Sequence, residues 1–285
     1  MPKFPRIQII PVPYEQLSFE LDMSERLRYH YGRDLPMPFI FPVIGPAGRS
    51  VTRMSHPHDP VGHAHHRSVW IAHYRVNGMN FWDEARVGRI RHERIELLKD
   101  GDESASAVVT NLWETLAGVP LLRERRTITL QCVDDAGDEL LIEIILELTA
   151  IEREVVFEQT PFGLLGVRVA KTMSVNDGDG IMRNSEGGVN EEQILWKRAR
   201  WVDASGYVTP VDVNGVTLMD HPSNPNHPTY FHVRNDGWMC ASLSYGEAVT
   251  VTQNEPLKLH YGLYVHGGDG VPEKVQPIWE RFACR

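Results

Sequence analysis

Six of the thirteen histidines fall within HPHDPVGHAHHRSVWIAH, residues 56–73: His56, His58, His63, His65, His66 and His73. Imidazoles titrate near neutrality, so such a set can move protons, hydrogen-bond a polar ligand or hold a divalent ion. His63 and His65 stand two apart and point the same way in extended chain, as ligand pairs on strands do. A mononuclear site needs a third ligand from elsewhere, and His232 is the candidate, with Mn, Fe, Zn or Ni as the ion. Neither H-E-x-x-H nor paired C-x-x-C is present to fix a metal, so binding and acid–base roles are equally open. Four basic or titratable side chains in HAHHR (63–67) would repel one another if buried and charged. An anionic substrate, carboxylates or a metal would compensate. For His56 and His58, set among Pro57, Asp59 and Pro60, a solvated loop is a sufficient account.

A second cluster is DHPSNPNHPTYFHVRND at 220–236, which contains Asp220, His221, Asn224, His227, His232 and Arg234. Prolines at 222, 225 and 228 block regular helix and disfavour a central strand, so a rigid, extended loop is expected. Such loops are where a β scaffold places binding groups, although turns favour the same residue types. LHYGLYVHGGDG (259–270) carries His260 and His266 before a glycine-rich turn, a weak anion-site signal. NDGDG (176–180) lacks the remaining ligands of a calcium loop and reads as a hairpin turn. Asp83, Glu84, Glu114, Glu186, Glu191 and Glu192 are carboxylates open to acid–base work. Trp70, Phe81, Trp82, Trp113, Trp196, Trp201, Tyr230 and Phe231 can wall a sugar site, or simply fill a core.

The elements that must position these groups have period two. Ile128, Leu130 and Cys132 alternate with polar residues in TITLQCV. Ile142, Ile144, Leu146, Leu148 and Ala150 share one face of LLIEIILELTA, and VRVAKTMSV (167–175) continues the pattern. Turn signals at 99–102, 134–137, 176–180, 213–215 and 235–237 separate the runs. The expectation is an all-β fold, a large antiparallel sandwich spanning residues 1–285 as one domain. A single helix is expected from Pro272, with Val275, Ile278, Trp279 and Phe282 on one face and Pro277 to be accommodated.

Bulk properties narrow the function classes. A formal charge of −9 argues against a nucleic-acid partner. No apolar run reaches membrane-spanning length and the N-terminus has no signal-peptide pattern, so a cytoplasmic protein is expected. Three separated cysteines do not suggest a disulfide framework. The G-x-S-x-G elbow, the P-loop and G-x-G-x-x-G are absent, and no nucleotide cofactor is expected.

PVIGPAGRSVTR, HAHHRSVWIAHYRVNGMNFW, DHPSNPNHPTYFHVR and LYVHGGD, in that order, resemble the motifs of the bacterial methane-oxygenase-PmoA-like family over roughly residues 38–270. There the first motif usually reads D-H-P-H-H-R-S. Here Gly62 replaces the acid and Ala64 the proline, which removes a carboxylate behind the imidazoles. The resemblance implies a β-sandwich from carbohydrate-catabolising bacteria. Locally, HAHHR and NHPTYF (226–231) are also similar to the motifs of aldose mutarotases, a β-supersandwich family. That similarity implies His227 as general acid, with His65 or His66 orienting sugar hydroxyls.

Together these point to an enzyme moving protons on a sugar, glycoside or keto-glycoside, by epimerisation, elimination or hydrolysis. His66 and His227 are the acid–base candidates. Arg67, His73, Asp220, His221, Asn224, Arg234 and His266 are substrate contacts, and His63, His65 and His232 the metal set. A non-haem metal-dependent oxygenase and a non-catalytic carbohydrate-binding protein are the alternatives.

Overall fold

Alternating apolar residues along the strands give each sheet one face to bury, and two large sheets bury those faces against each other. The computed structural model describes residues 4–55, 63–83 and 85–285. His56, His58, Gly62 and Glu84 lie outside them. The first sheet has nine strands, in the order Ile7–Val12, Gln16–Leu21, Ser24–His30, Phe39–Val43, Val69–His73, Gly163–Arg168, Trp238–Ser242, Tyr230–Arg234 and Lys197–Arg198. The second has eight: Ile181–Asn184, Trp201–Tyr207, Val213–Asp220, Leu257–Gly267, Leu140–Ala150, Pro120–Cys132, Ser104–Thr115 and Gly88–Lys99. All the pairings between these strands are antiparallel. This is the all-β sandwich that the period-two pattern predicts.

The predicted inward face of Leu140–Ala150 is the buried one: Ile142, Ile144, Leu146, Leu148 and Ala150 are at most 1% exposed. On its other face Ile145 meets solvent, whereas Leu141 lies beneath the helix Pro272–Ala283. Val275, Ile278 and Phe282 of that helix close a second cluster with Trp201, Met219 and Tyr264, and Pro277 sits inside the helix. No helix among the described residues is long and apolar enough to cross a membrane.

The strand expected across 167–175 stops at Arg168. A 3-10 turn at Lys171–Met173 and a helical turn at Val175–Gly178 follow, so NDGDG is not a hairpin. The Ser174 hydroxyl accepts the Asp177 N–H at 3.2 Å, a local cap that outcompetes continued extension.

Register decides which side chains reach the outer face of the nine-stranded sheet. His232 pairs with Cys240, Cys240 with Gly166, and Gly166 with Trp70, so these four share a face. By the same alternation Arg234, Trp238 and Arg168 join them, while Phe231 and Val233 point into the core between the sheets. Gly166 is required here. A Cβ at that position would lie 2.6–2.8 Å from the ring of Trp70, which lies across it. Gly166→Ala is expected to lower stability by about 1–3 kcal/mol through overpacking, read as a lower denaturant midpoint. An unchanged midpoint would contradict this packing.

Candidate functional site

The segment 63–68 lies over this outer face and is pinned at its end. Arg168 N donates to Ser68 O at 2.6 Å and Ser68 Oγ to Thr52 Oγ1 at 2.8 Å. The His66 ring stacks on Trp70 at 5.0 Å and meets Trp238 at 4.7 Å, so it is only 2% exposed. The rings of His63 and His65 pack on it at 4.7 and 4.3 Å. Trp82 closes the group from the side, 6.2 Å from His65, its backbone held by Asn80 Oδ1.

Arg168 connects this group to the turn at 235–237. Its Nη1 lies 3.2 Å from His66 Nδ1 and 3.3 Å from Asp236 Oδ2. A guanidinium only donates, so His66 Nδ1 accepts and a neutral His66 carries its proton on Nε2. Burial, then His65 and Arg168, hold the His66 pKa well below the ordinary imidazole range. Asp236 Oδ2 also lies 3.5 Å from His63 Nε2. A carboxylate thus stands behind His63, supplied by the turn at 235–237 rather than by position 62.

Beside this network is an open pocket of about 420 Å³ lined by His63, Phe162, Asn176, Glu191, His232, Arg234, Asp236 and Trp238. Four buried polar atoms of its lining have no hydrogen-bond partner among the described residues: His63 Nδ1, His232 Nδ1, Asp236 Oδ1 and Trp238 Nε1. His232 hydrogen-bonds the Pro161 carbonyl, which leaves Nδ1 as a bare acceptor, and burial lowers its pKa to about 4. Unpartnered buried polar groups are costly, and four of the eleven among the described residues belong to the lining of this one pocket, which makes it the leading candidate for a polar ligand. Arg234 pairs with Glu191 at 3.2 Å at the rim. A smaller pocket of about 240 Å³ between Tyr31 and His92 is a poorer candidate, because its Arg89 and Arg91 are committed to Glu114.

The other predicted site residues divide by location. His73 is on the core face of its strand, opposite Trp70, and is fully buried. Its Nδ1 accepts Arg75 N–H at 3.1 Å and its Nε2 lies 2.8 Å from Ser244 Oγ, so it fills the core and contacts no substrate. His266 is likewise buried and donates to Asp203 Oδ1 at 2.8 Å. The adjacent GGDG turn offers no open anion cradle, since the Gly267, Gly268 and Gly270 N–H groups already donate to Glu139 Oε1, the Val213 carbonyl and Ser205 Oγ. Arg67 lies over the Phe39 ring, outside the pocket lining.

Asp220, His221, Asn224 and His227 form a separate group. The buried Asp220 carboxylate accepts from His227 Nδ1 at 2.7 Å, Asn224 Nδ2 at 2.7 Å and Thr229 N at 2.9 Å. His227 stacks on Trp279 of the helix, and His221 on His260. Thr229 and Arg234 are separated by roughly 16 Å of strand at ~3.3 Å per residue. His227 therefore sits at the opposite end of strand Tyr230–Arg234 from His66, and the two do not form one acid–base pair. The two histidine-rich segments do meet, but through His63 and His66 with Asp236 and Trp238.

As for a metal, the ligand nitrogens of His63, His65 and His66 lie within 4.8 Å of one another, and His232 does not belong to that group. The donors of one tetrahedral ion sit about 3.4 Å apart, which falls inside that limit. A metal-bound imidazole normally donates its second N–H to an acceptor. His66 instead receives a hydrogen bond from the Arg168 guanidinium at Nδ1. Arg168, Asp236, Phe162 and Trp238 were not singled out from sequence. Asp236 reads as part of an Asn-Asp-Gly turn and Arg168 as a lone charge in a strand, and only register reveals either.

The chain belongs to the family described as a family of unknown function (DUF6807), whose pattern matches residues 16–280. No curated protein matches it.

Three buried histidines give stability a definite pH dependence. Burial lowers His73 to about 3, His232 to about 4, and His66 as well, from an unfolded value of 6.5. Each contributes stability that is complete above pH 6.5 and is lost as pH falls toward the folded value, at up to about 1.4 kcal/mol per pH unit per group. The carboxyls of Glu114, Glu139 and Glu143, lowered from a reference value of 4.5, act from that value downward and so overlap only the acid end of this window, below the pH 5 to 7 interval. Urea unfolding is expected to show lower stability at pH 5 than at pH 7, with a shallower slope in His73→Leu. Equal stability at the two pH values would refute the assignment.

Proposed function

We propose that this member of the DUF6807 family is an enzyme that transfers protons on a carbohydrate bound against the outer face of the nine-stranded sheet. The observation that carries the reading is the set of unpartnered atoms in one pocket: two imidazole acceptors, a carboxylate oxygen and an indole N–H. Sugar hydroxyls both donate and accept, and can satisfy all four. Trp238 and Phe162 supply apolar ring faces for the C–H side of a pyranose.

Within that pocket His63 is the acid–base group. Asp236 behind its Nε2 favours the tautomer in which Nδ1 is bare and able to accept a proton. A proton removed from carbon beside a carbonyl, or from a hydroxyl, leaves negative charge on oxygen, and the buried Arg168 guanidinium supplies a nearby positive charge. His232, lowered to about 4 by burial, stays neutral at pH 7 and accepts a hydroxyl hydrogen bond. Epimerisation and elimination both begin with such a transfer, whereas hydrolysis would require a proton given to the glycosidic oxygen as that bond breaks.

The test needs no knowledge of the product. Sugars and keto-sugars are incubated with the protein in D2O, and loss of C–H signals is followed by proton NMR. His63→Ala is expected to slow exchange by about 10²- to 10⁴-fold while sugar binding persists, and Asp236→Asn to slow it less. Retained exchange in His63→Ala would refute the role. Loss of affinity alone, with no exchange in the wild type, would make the protein a carbohydrate binder.

Metal analysis addresses the oxygenase alternative. Protein prepared without a histidine tag is expected to hold far less than one equivalent of Mn, Fe, Zn or Ni. One equivalent lost in His65→Ala would overturn the metal-free reading, and iron would favour the oxygenase.

A further inference from the structure

We propose that the pocket continues into a second sugar subsite built on Trp196 and Tyr245, so that the ligand is a glycoside of at least two rings. This rests on the carbohydrate reading above and extends it. The aromatic rings form an unbroken series leading out of the pocket. Phe162 and Trp238 lie 5.2 and 4.5 Å from His232, and Trp196 lies 6.0 Å from the same imidazole. Trp196 then stacks on Tyr245 with an interplanar angle of 15°, and Tyr245 meets Tyr230 edge-on at 4.9 Å. The series follows the outer face of strand Tyr230–Arg234, where Tyr230, His232 and Arg234 point the same way.

Trp196 is the informative residue. Of the eight aromatic residues that could wall a sugar site, Trp70, Phe81, Trp82, Trp113, Trp201 and Phe231 are buried, so core packing accounts for them. Trp196 is 46% exposed and holds a left-handed φ of 58°. That conformation is unfavourable for a bulky side chain and is tolerated where function requires it. Its backbone N–H is fixed to the Phe231 carbonyl at 2.8 Å, which sets the indole beside His232. An exposed indole beside His232, itself a lining residue of the polar pocket, is suited to stack a pyranose ring.

The next groups along the face are also suited to a sugar. A pocket of about 250 Å³ adjoins Tyr230, lined among others by Arg198, Asn226, Thr229 and Glu247. Arg198 lies over the Tyr230 ring at 4.5 Å and bonds the Asn226 and Pro228 carbonyls, so it is a fixed wall. The ring bound at His63 and His232 is the reacting one. The ring bound at Trp196 and Tyr245 supplies binding energy and selects for a glycoside over a free monosaccharide.

The test compares glucose, galactose, mannose and xylose with cellobiose, lactose, mannobiose and xylobiose by calorimetry and saturation-transfer NMR. Trp196→Gly removes the indole and suits the left-handed φ, so its melting temperature should not fall; Tyr245→Leu is the second variant. For the preferred sugar the disaccharide is expected to bind about tenfold more tightly than its monosaccharide. Both variants should abolish that difference and leave monosaccharide binding unchanged. Equal binding of one and two rings, or equal weakening of both by the variants, would overturn the subsite and leave the carbohydrate reading standing. Binding of none of these sugars would overturn both.

Discussion

A buried guanidinium organises the outer face of the nine-stranded sheet. Arg168 ends a strand buried on both faces and is itself 3% exposed, so its charge needs partners brought from elsewhere in the chain. Asp236 comes from the turn that follows strand Tyr230–Arg234, and His66 from the segment that precedes strand Val69–His73. The same residue's N–H fixes Ser68. One side chain and its backbone thus hold two distant segments over one patch of sheet, and the pocket lies between them. The choice of Gly166 beside it lets Trp70 lie flat enough to support His66.

Seven of the histidines fall into three chemical populations. His73 and His266 are enclosed with complete hydrogen-bond sets and serve the core. His63 and His232 each keep one buried nitrogen without a partner, and both nitrogens belong to one pocket. His221, His227 and His260 form a third group that joins the loop after Asp220 to the C-terminal helix, with Trp279 Nε1 donating to the Asp220 carbonyl at 3.0 Å. Histidine number is therefore a poor guide to chemistry in this chain. What singles out His63 and His232 is that their unpartnered nitrogens belong to one pocket, whereas the unpartnered His221 Nε2 lies outside its lining.

The pocket also shows why charge counting along HAHHR misleads. Read linearly, His63, His65, His66 and Arg67 look like a concentrated positive cluster that needs a metal or an anion. In the fold Arg67 turns away onto Phe39, and burial keeps His66 uncharged near neutral pH. Asp236 faces His63. The remaining demand at His63 and His232 is for hydrogen bonds more than for compensating charge.

The sequence alone determined the all-β class, the inward face of strands such as Leu140–Ala150 and the buried face of the C-terminal helix. Those follow from local periodicity, which every strand or helix carries in its own residues. It also proposed 63–73 and 220–236 as two walls of a site, and the structure brings His63 of the first beside Asp236 of the second. It could not show that His73 belongs to the core, because parity with His65 does not survive the loop between them. It joined His66 to His227, which the length of strand Tyr230–Arg234 keeps apart. Arg168, Asp236 and the exposure of Trp196 depend on strand register and on which faces the two sheets cover. Those are set by contacts between residues far apart in the chain, so only the tertiary structure decided them.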